Sequence, residues 1–145
     1  MKEIDKYKYC FVCGDKNPNG LKVKFFAEGE VAKAEYVAGS DFQGYKDIFH
    51  GGILAALLDE VMIKAILAKD IVVVTASMEI SFKKPVKVGE KILLTGKILE
   101  QKKRIITTEG KACLKNGEVV ATATGKYFVA EDKLKEKLQK SLEIT

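Results

Sequence analysis

The chain has one arginine, one histidine and three cysteines, and no apolar run long enough to span a bilayer. Each shortage excludes something. Specific reading of nucleic acid leans on guanidinium forks, and Arg104 stands alone among 25 basic residues that leave a net charge of +5. The lysines are scattered and alternate with apolar residues along apparent strands, so no nucleic-acid partner is expected. Such a surface suits an anionic small molecule, the phosphates of a carrier cofactor included. Three cysteines do not build a disulfide framework. The longest apolar segment, residues 51–68, is broken by Asp59, Glu60 and Lys64, and so falls short of the roughly 18–20 residues of a spanning helix. The N-terminus, MKEIDKYKYC, lacks the apolar stretch of a signal peptide. The expected location is therefore the cytoplasm, without a membrane partner.

What is present suits one globular domain, residues 1–145, with 47% hydrophobic and 31% charged residues. Residues 1–20 form a leader ending in the turn cluster CGDKNPNG (13–20). LKVKFFA (21–27) and VAKAEYVA (31–38) alternate as strands should and read as a hairpin. A loop over 39–50 leads into 51–68, rich in Ala, Leu, Ile and Met and helical by length and propensity. From residue 71 the character turns β-branched. IVVVTASMEISFKKP, KILLTGKILEQKK, RIITTEGKACLK and EVVATATGKYFVA read as four strands, the last two joined by the hairpin signal Asn116–Gly117. The tail, 131–145, repeats leucine at 134, 138 and 142 and reads as a short amphipathic helix. A helix apolar nearly all round must be wrapped on most sides. About six strands and one such helix give an α+β fold, a curved antiparallel sheet around the helix.

HGGILAALLDE (50–60) and SFKKPVKVGE (81–90), in this order and within strand–strand–helix–four strands, resemble the hotdog-fold acyl-CoA thioesterases of the 4-hydroxybenzoyl-CoA and phenylacetate-pathway type. The resemblance covers roughly residues 20–130, and CFVCGDKNPNGL also resembles a leader found in part of that superfamily. It implies hydrolysis of a small or medium acyl-CoA thioester, with coenzyme A as part of the substrate and no separate cofactor. Non-catalytic acyl-CoA binding and a hotdog dehydratase or hydratase are the alternatives.

Thioester hydrolysis needs a polariser for the carbonyl oxygen and a group that activates water or attacks directly. Unpaired N–H groups at a helix N-terminus supply the first, and Gly51 and Gly52 let a carbonyl approach closely. Asp59 is the expected base or nucleophile, since the resemblance places an acid nine residues after the histidine. Glu60 lies about 100° further round the helix and is expected to be structural or at the rim. Gly51 and Asp59 are about 12 Å apart along the axis, too far to act on one carbonyl from one chain. Two antiparallel helices would bring Gly51 of one beside Asp59 of the other, which implies a homodimer with shared sites, or a dimer of such dimers (a homotetramer). His50 is expected in a supporting role at the turn, and Gln43 to orient substrate or water. Thr75 and Ser77, placed on one face by alternation, are expected to hydrogen-bond the acid or contact substrate. Cys10 and Cys13 supply half a zinc ligand set; with no second pair in sequence, the expectation is a structural turn and no metal. Cys113 reads as a strand residue.

Overall fold

The structure, a computed structural model, describes residues 1–143. Short strands β1 (Lys2–Glu3) and β2 (Lys6–Tyr7) precede β3 (Phe26–Glu28) and β4 (Val31–Val37). Helix α1 (Gly51–Leu67) follows, then β5 (Val73–Phe82), β6 (Lys91–Lys102), β7 (Ile105–Leu114) and β8 (Val119–Val129). Helix α2 (Asp132–Lys140) and β9 (Leu142–Glu143) close the described part. Seven strands form one antiparallel sheet in the order β1-β3-β4-β6-β7-β8-β5, while β2 pairs with β9. Helix α1 packs against β4, β5, β6, β7 and β8. No helix among the described residues is long and apolar enough to cross a membrane.

A transverse row of small residues seats the helix. Ala32, Gly96, Gly110 and Ala123 are successive cross-strand partners on β4, β6, β7 and β8. A Cβ on Gly96 would stand 2.6 Å from the Val61 carbonyl oxygen, and one on Gly110 would stand 3.1 Å from Met62 Cγ. Their absence lets α1 lie close on the sheet and bury Leu57, Leu58, Val61 and Met62 completely. One stripe of the helix stays partly open, made by Gly52, Ala55, Ala56, Asp59 and Ile63; these positions share a face by helical spacing.

The architecture is the expected one, with differences at its edges. The strand expected over 21–27 reaches regular pairing only from Phe26, because Lys22 has a positive φ of 57°. Val23 and Phe25 still point into the core. Residues 21–23 hydrogen-bond the leader instead, through Leu21 N–H to the Phe11 carbonyl (2.8 Å) and Val23 N–H to the Val12 carbonyl (2.9 Å). The terminal helix, expected over 131–145, stops at Lys140, and Leu142 pairs with Tyr7 in a strand; residues 144 and 145 lie outside the described part. The Asn116–Gly117 turn joins β7 to β8, with Gly117 at φ 91°.

Candidate active site

Helix α1 places Asp59 opposite the start of β5 and the end of β8. The Tyr127 hydroxyl donates to Asp59 Oδ1 at 2.9 Å, and the Thr75 hydroxyl donates to the same oxygen at 3.0 Å, with Oδ2 at 3.3 Å. Burial raises the Asp59 carboxyl above its ordinary value, against the opposing pull of the Tyr127 and Thr75 hydrogen bonds. The phenol of Tyr127 is itself raised, first by burial and then by the Asp59 charge. It is therefore a donor and not a base at neutral pH. Tyr127 is fully buried, and its ring fills the space that a Cβ on Gly125 would take, 2.6 Å from Tyr127 Cε2.

Tyr127 was not among the residues expected from sequence. Its strand shows Ala121, Ala123 and Gly125 on the same inward face. A lone tyrosine after three small residues is the available signal: small neighbours leave room for a ring to lean across them.

Thr75 and Ser77 do not share a face. The pairing of β5 with β8 shifts between them, so Thr75 lies opposite Tyr127 whereas Ser77 lies opposite Lys126. Directly paired residues point the same way, which sends Thr75 toward Asp59 and Ser77 to the outer surface with Lys126. A bulge at Ala76 breaks the alternation on which the expectation rested.

At the other end of the stripe, His50 caps α1. Its Nδ1 accepts the Gly52 N–H at 2.9 Å, which in the neutral ring places the proton on Nε2. The His50 carbonyl takes the N–H groups of Ile53 and Leu54, both at 3.1 Å. That leaves the Gly51 N–H as the first-turn donor without a partner in the chain among the described residues. The glycines thus differ: Gly51 offers an open donor, and the N–H of Gly52 is occupied. A Cβ on Gly51 would meet nothing nearer than the Phe82 ring at 3.7 Å, so this end is open to a ligand. Gly51 and Gly52 lie in a cleft of about 930 Å³ shared with His50, Tyr45, Phe82 and Lys83.

Gln43 lies beside the helix entrance, since it bridges to Phe49, but both ends of its amide are engaged. Nε2 donates to the Ser40 carbonyl at 2.9 Å, and Oε1 accepts the Asp47 N–H at 2.7 Å. In this arrangement it shapes the loop that carries His50 and is not aimed at the cleft.

Glu60 faces away from Asp59, about 100° round the helix, but it is not at a rim. It is 8% exposed and lies against the leader, with Oε1 3.5 Å from Cys10 Sγ, Oε2 3.7 Å from Cys13 Sγ and Oε2 3.7 Å from Lys64 Nζ. Burial, followed by the neighbouring Cys13 charge, raises Glu60 to about 7. The hydrogen bond with Cys13, then burial, raises the Cys10 thiol; the Cys10 thiol and, behind it, Lys64 push Cys13 down. Lys64 is fully buried, donates to the Asp5 carbonyl and stands over the Tyr7 ring at 5.5 Å. The two acids of α1 therefore serve two separate places.

The family model described as the thioesterase superfamily matches residues 47–121. Among solved structures, the chain is 27% identical to a thioesterase superfamily protein, with a TM-score of 0.78 over 84% of this chain and 63% of the other. The chain thus spans less than two thirds of that relative's length. A hypothetical thioesterase from Streptococcus pneumoniae, solved with coenzyme A, is 20% identical with a TM-score of 0.68, covering 70% of this chain and 82% of its own. The PaaI protein of the E. coli phenylacetic acid degradation operon is 19% identical with a TM-score of 0.71, covering 77% and 81%. No curated protein matches the chain. The fold is the hotdog fold of these proteins.

Proposed function

The chain belongs to the thioesterase superfamily, and from that premise we propose that it hydrolyses a small or medium acyl-CoA thioester to the free acid and coenzyme A. The observation that carries this reading is the partly desolvated Asp59 carboxylate, oriented by Tyr127 and Thr75. No ion pair meets the Asp59 carboxylate among the described residues. The partners of Asp59 are two hydroxyl donors, which fix its direction while leaving it basic.

In the proposed reaction, ionised Asp59 takes a proton from water as the water oxygen attacks the thioester carbonyl carbon. The carbonyl oxygen gains negative charge facing the open Gly51 N–H at the positive end of a helix. Collapse breaks the carbon–sulfur bond, and the proton on Asp59 passes to the departing thiolate. His50 supports this by occupying the Gly52 N–H and fixing the first turn. Lys83, exposed on the cleft wall, suits the phosphates of the coenzyme; the Streptococcus pneumoniae relative was solved with coenzyme A.

Along one helix the donor and the acid remain about 12 Å apart, so the reading includes a homodimer. Two features support it. The stripe bearing Asp59 is made of small residues, Gly52, Ala55 and Ala56, over which a second helix can approach closely. Beside it, β5 is an edge strand of ten residues with Met78 and Phe82 exposed; long uncovered edges invite pairing with another chain. Antiparallel pairing of two β5 strands would set the two α1 helices side by side in opposite senses. The decisive experiment is a panel of short aliphatic, medium-chain and aromatic acyl-CoA esters with thiol release recorded. Turnover of at least one ester supports the assignment; binding of several without thiol release would favour a non-catalytic acyl-CoA binder.

A further inference from the structure

The leader carries a second cluster that the proposed hydrolysis does not use. Residues 10–14 form a tight turn in which the Cys10 sulfur accepts the N–H groups of Val12 (3.3 Å) and Cys13 (3.4 Å). The Gly14 N–H closes the turn on the Cys10 carbonyl at 2.9 Å. Only glycine fits at its end, because a Cβ on Gly14 would stand 2.5 Å from both Cys10 N and the Lys8 carbonyl oxygen. Thiol sulfur is a weak acceptor. Two backbone donors aimed at one sulfur would stabilise the negative charge that this sulfur carries when it binds a metal.

Helix α1 brings a third ligand to this turn. The Cys10 and Cys13 sulfurs and a Glu60 carboxylate oxygen all lie within 4.8 Å of one another, with Oε1 3.5 Å from Cys10 Sγ and Oε2 3.7 Å from Cys13 Sγ. A tetrahedral zinc ion with bonds of about 2.3 Å to sulfur and 2.0 Å to oxygen requires sulfur–oxygen edges of about 3.5 Å to one bound oxygen, which a turn of the Glu60 carboxylate between the two sulfurs would supply. We propose that Cys10, Cys13 and Glu60 bind a thiophilic divalent cation, zinc, that fastens the leader to α1.

The surroundings fit that occupant. Two thiolates, a carboxylate and a divalent cation leave one negative charge, which the buried Lys64 ammonium, 3.7 Å from Glu60, balances. Lys64 is held in turn by the Asp5 carbonyl, so it orients the carboxylate from behind, as outer-shell groups do at metal sites. Cys10 is only half-buried, giving the ion a way in and a water a fourth coordination position. Binding displaces the thiol protons to solvent as the sulfurs take up the metal. Sequence alone counted two ligands; the fold adds the one on α1, which makes the site independent of the hydrolytic reading.

The test uses reduced full-length protein, stripped by dialysis against a chelator and then titrated with zinc or cobalt. One zinc per chain is expected, with Cys10 and Cys13 protected from alkylation and Cys113 labelled at an unchanged rate. Cobalt should produce a thiolate-to-metal charge-transfer band that Cys113→Ser retains and Cys13→Ser loses. Glu60→Gln should keep the band but weaken binding by roughly a hundredfold, since loss of even an outer-shell partner costs 10–100-fold. Reduced wild-type protein that takes up no zinc, or takes it up while Cys10 and Cys13 alkylate at the unprotected rate, overturns the proposal. The wild-type arm requires no variant to fold.

Discussion

The Tyr127 hydroxyl stands 2.9 Å from Asp59 Oδ1, joining the last long strand to the middle of the central helix. This contact sets the direction of the carboxylate and opposes the rise that burial imposes on its proton affinity. In Tyr127→Phe that opposition is removed, so the Asp59 carboxyl rises further. The acid limb of kcat/KM should lie above the ordinary aspartate value in the wild type and move to still higher pH in the variant. A pH profile of both proteins on one acyl-CoA ester checks this; coincident limbs would mean that Tyr127 does not act on the base.

Asp59→Asn should fold and lose roughly 10²–10⁴ in turnover, the scale of a missing general base. The same variant should be more stable near neutral pH. Because the Asp59 carboxyl is raised in the folded chain, the folded state holds that proton more tightly than the unfolded state does. Its contribution to stability therefore falls as pH climbs from the unfolded value, about 3.9, through the raised one. Asparagine carries no such charge. Melting curves should separate at neutral pH and converge in acid. Near-normal turnover in Asp59→Asn would remove Asp59 from the mechanism.

Gly96 tests how the helix is seated. A methyl group there would meet the Val61 backbone oxygen at 2.6 Å, and backbone cannot swing aside as a side chain can. Gly96→Ala should cost about 1–3 kcal/mol, the range for overpacking a close contact, read from denaturant midpoints. Gly117→Ala would be strained for a different reason, its positive φ, with open space around it.

The parts legible in sequence were those carried by local pattern. The central helix announced itself by composition; Asp59 stood out as an acid on that apolar helix, and its place nine residues after His50 came from the family resemblance. The succession of strands along the chain followed from alternation and from the Asn116–Gly117 turn. What stayed hidden depended on contacts distant in sequence or on a break in the pattern. Tyr127 meets Asp59 across 68 residues, and nothing in GKYFV distinguishes it from an ordinary strand tyrosine except its small neighbours. Ser77 was misplaced because the bulge at Ala76 leaves no mark in the residue types. Glu60 reaches Cys10 across 50 residues, so the carboxylate beside the two thiols was invisible from the Cys-x-x-Cys pair. The role of Gly52 changed because the ring of His50, two residues earlier, reached back to take its N–H.

The shared site can be tested by complementation. Gly51→Pro removes the one open N–H of the first turn, and the ring is compatible with a first helical position. The nearest atom to an added Cβ is an aromatic carbon at 3.7 Å, so a side-chain carbon has room at this position, and folding of the variant is checked before mixing. Asp59→Asn removes the base and leaves the hydroxyls of Tyr127 and Thr75 with an oxygen to bond. Each homodimer should be nearly inactive, since every site lacks one of its two parts. Unfolded together in equal amounts and refolded, the two variants should pair at random and give about half heterodimers. Each heterodimer then holds one site with both defects and one with neither. Recovered activity should approach roughly a quarter of the wild-type value if the sites act independently. Subunit exchange is verified first by mass-tagging one variant. With exchange shown, a mixture as inactive as its parents would mean that Gly51 of one chain does not work with Asp59 of another.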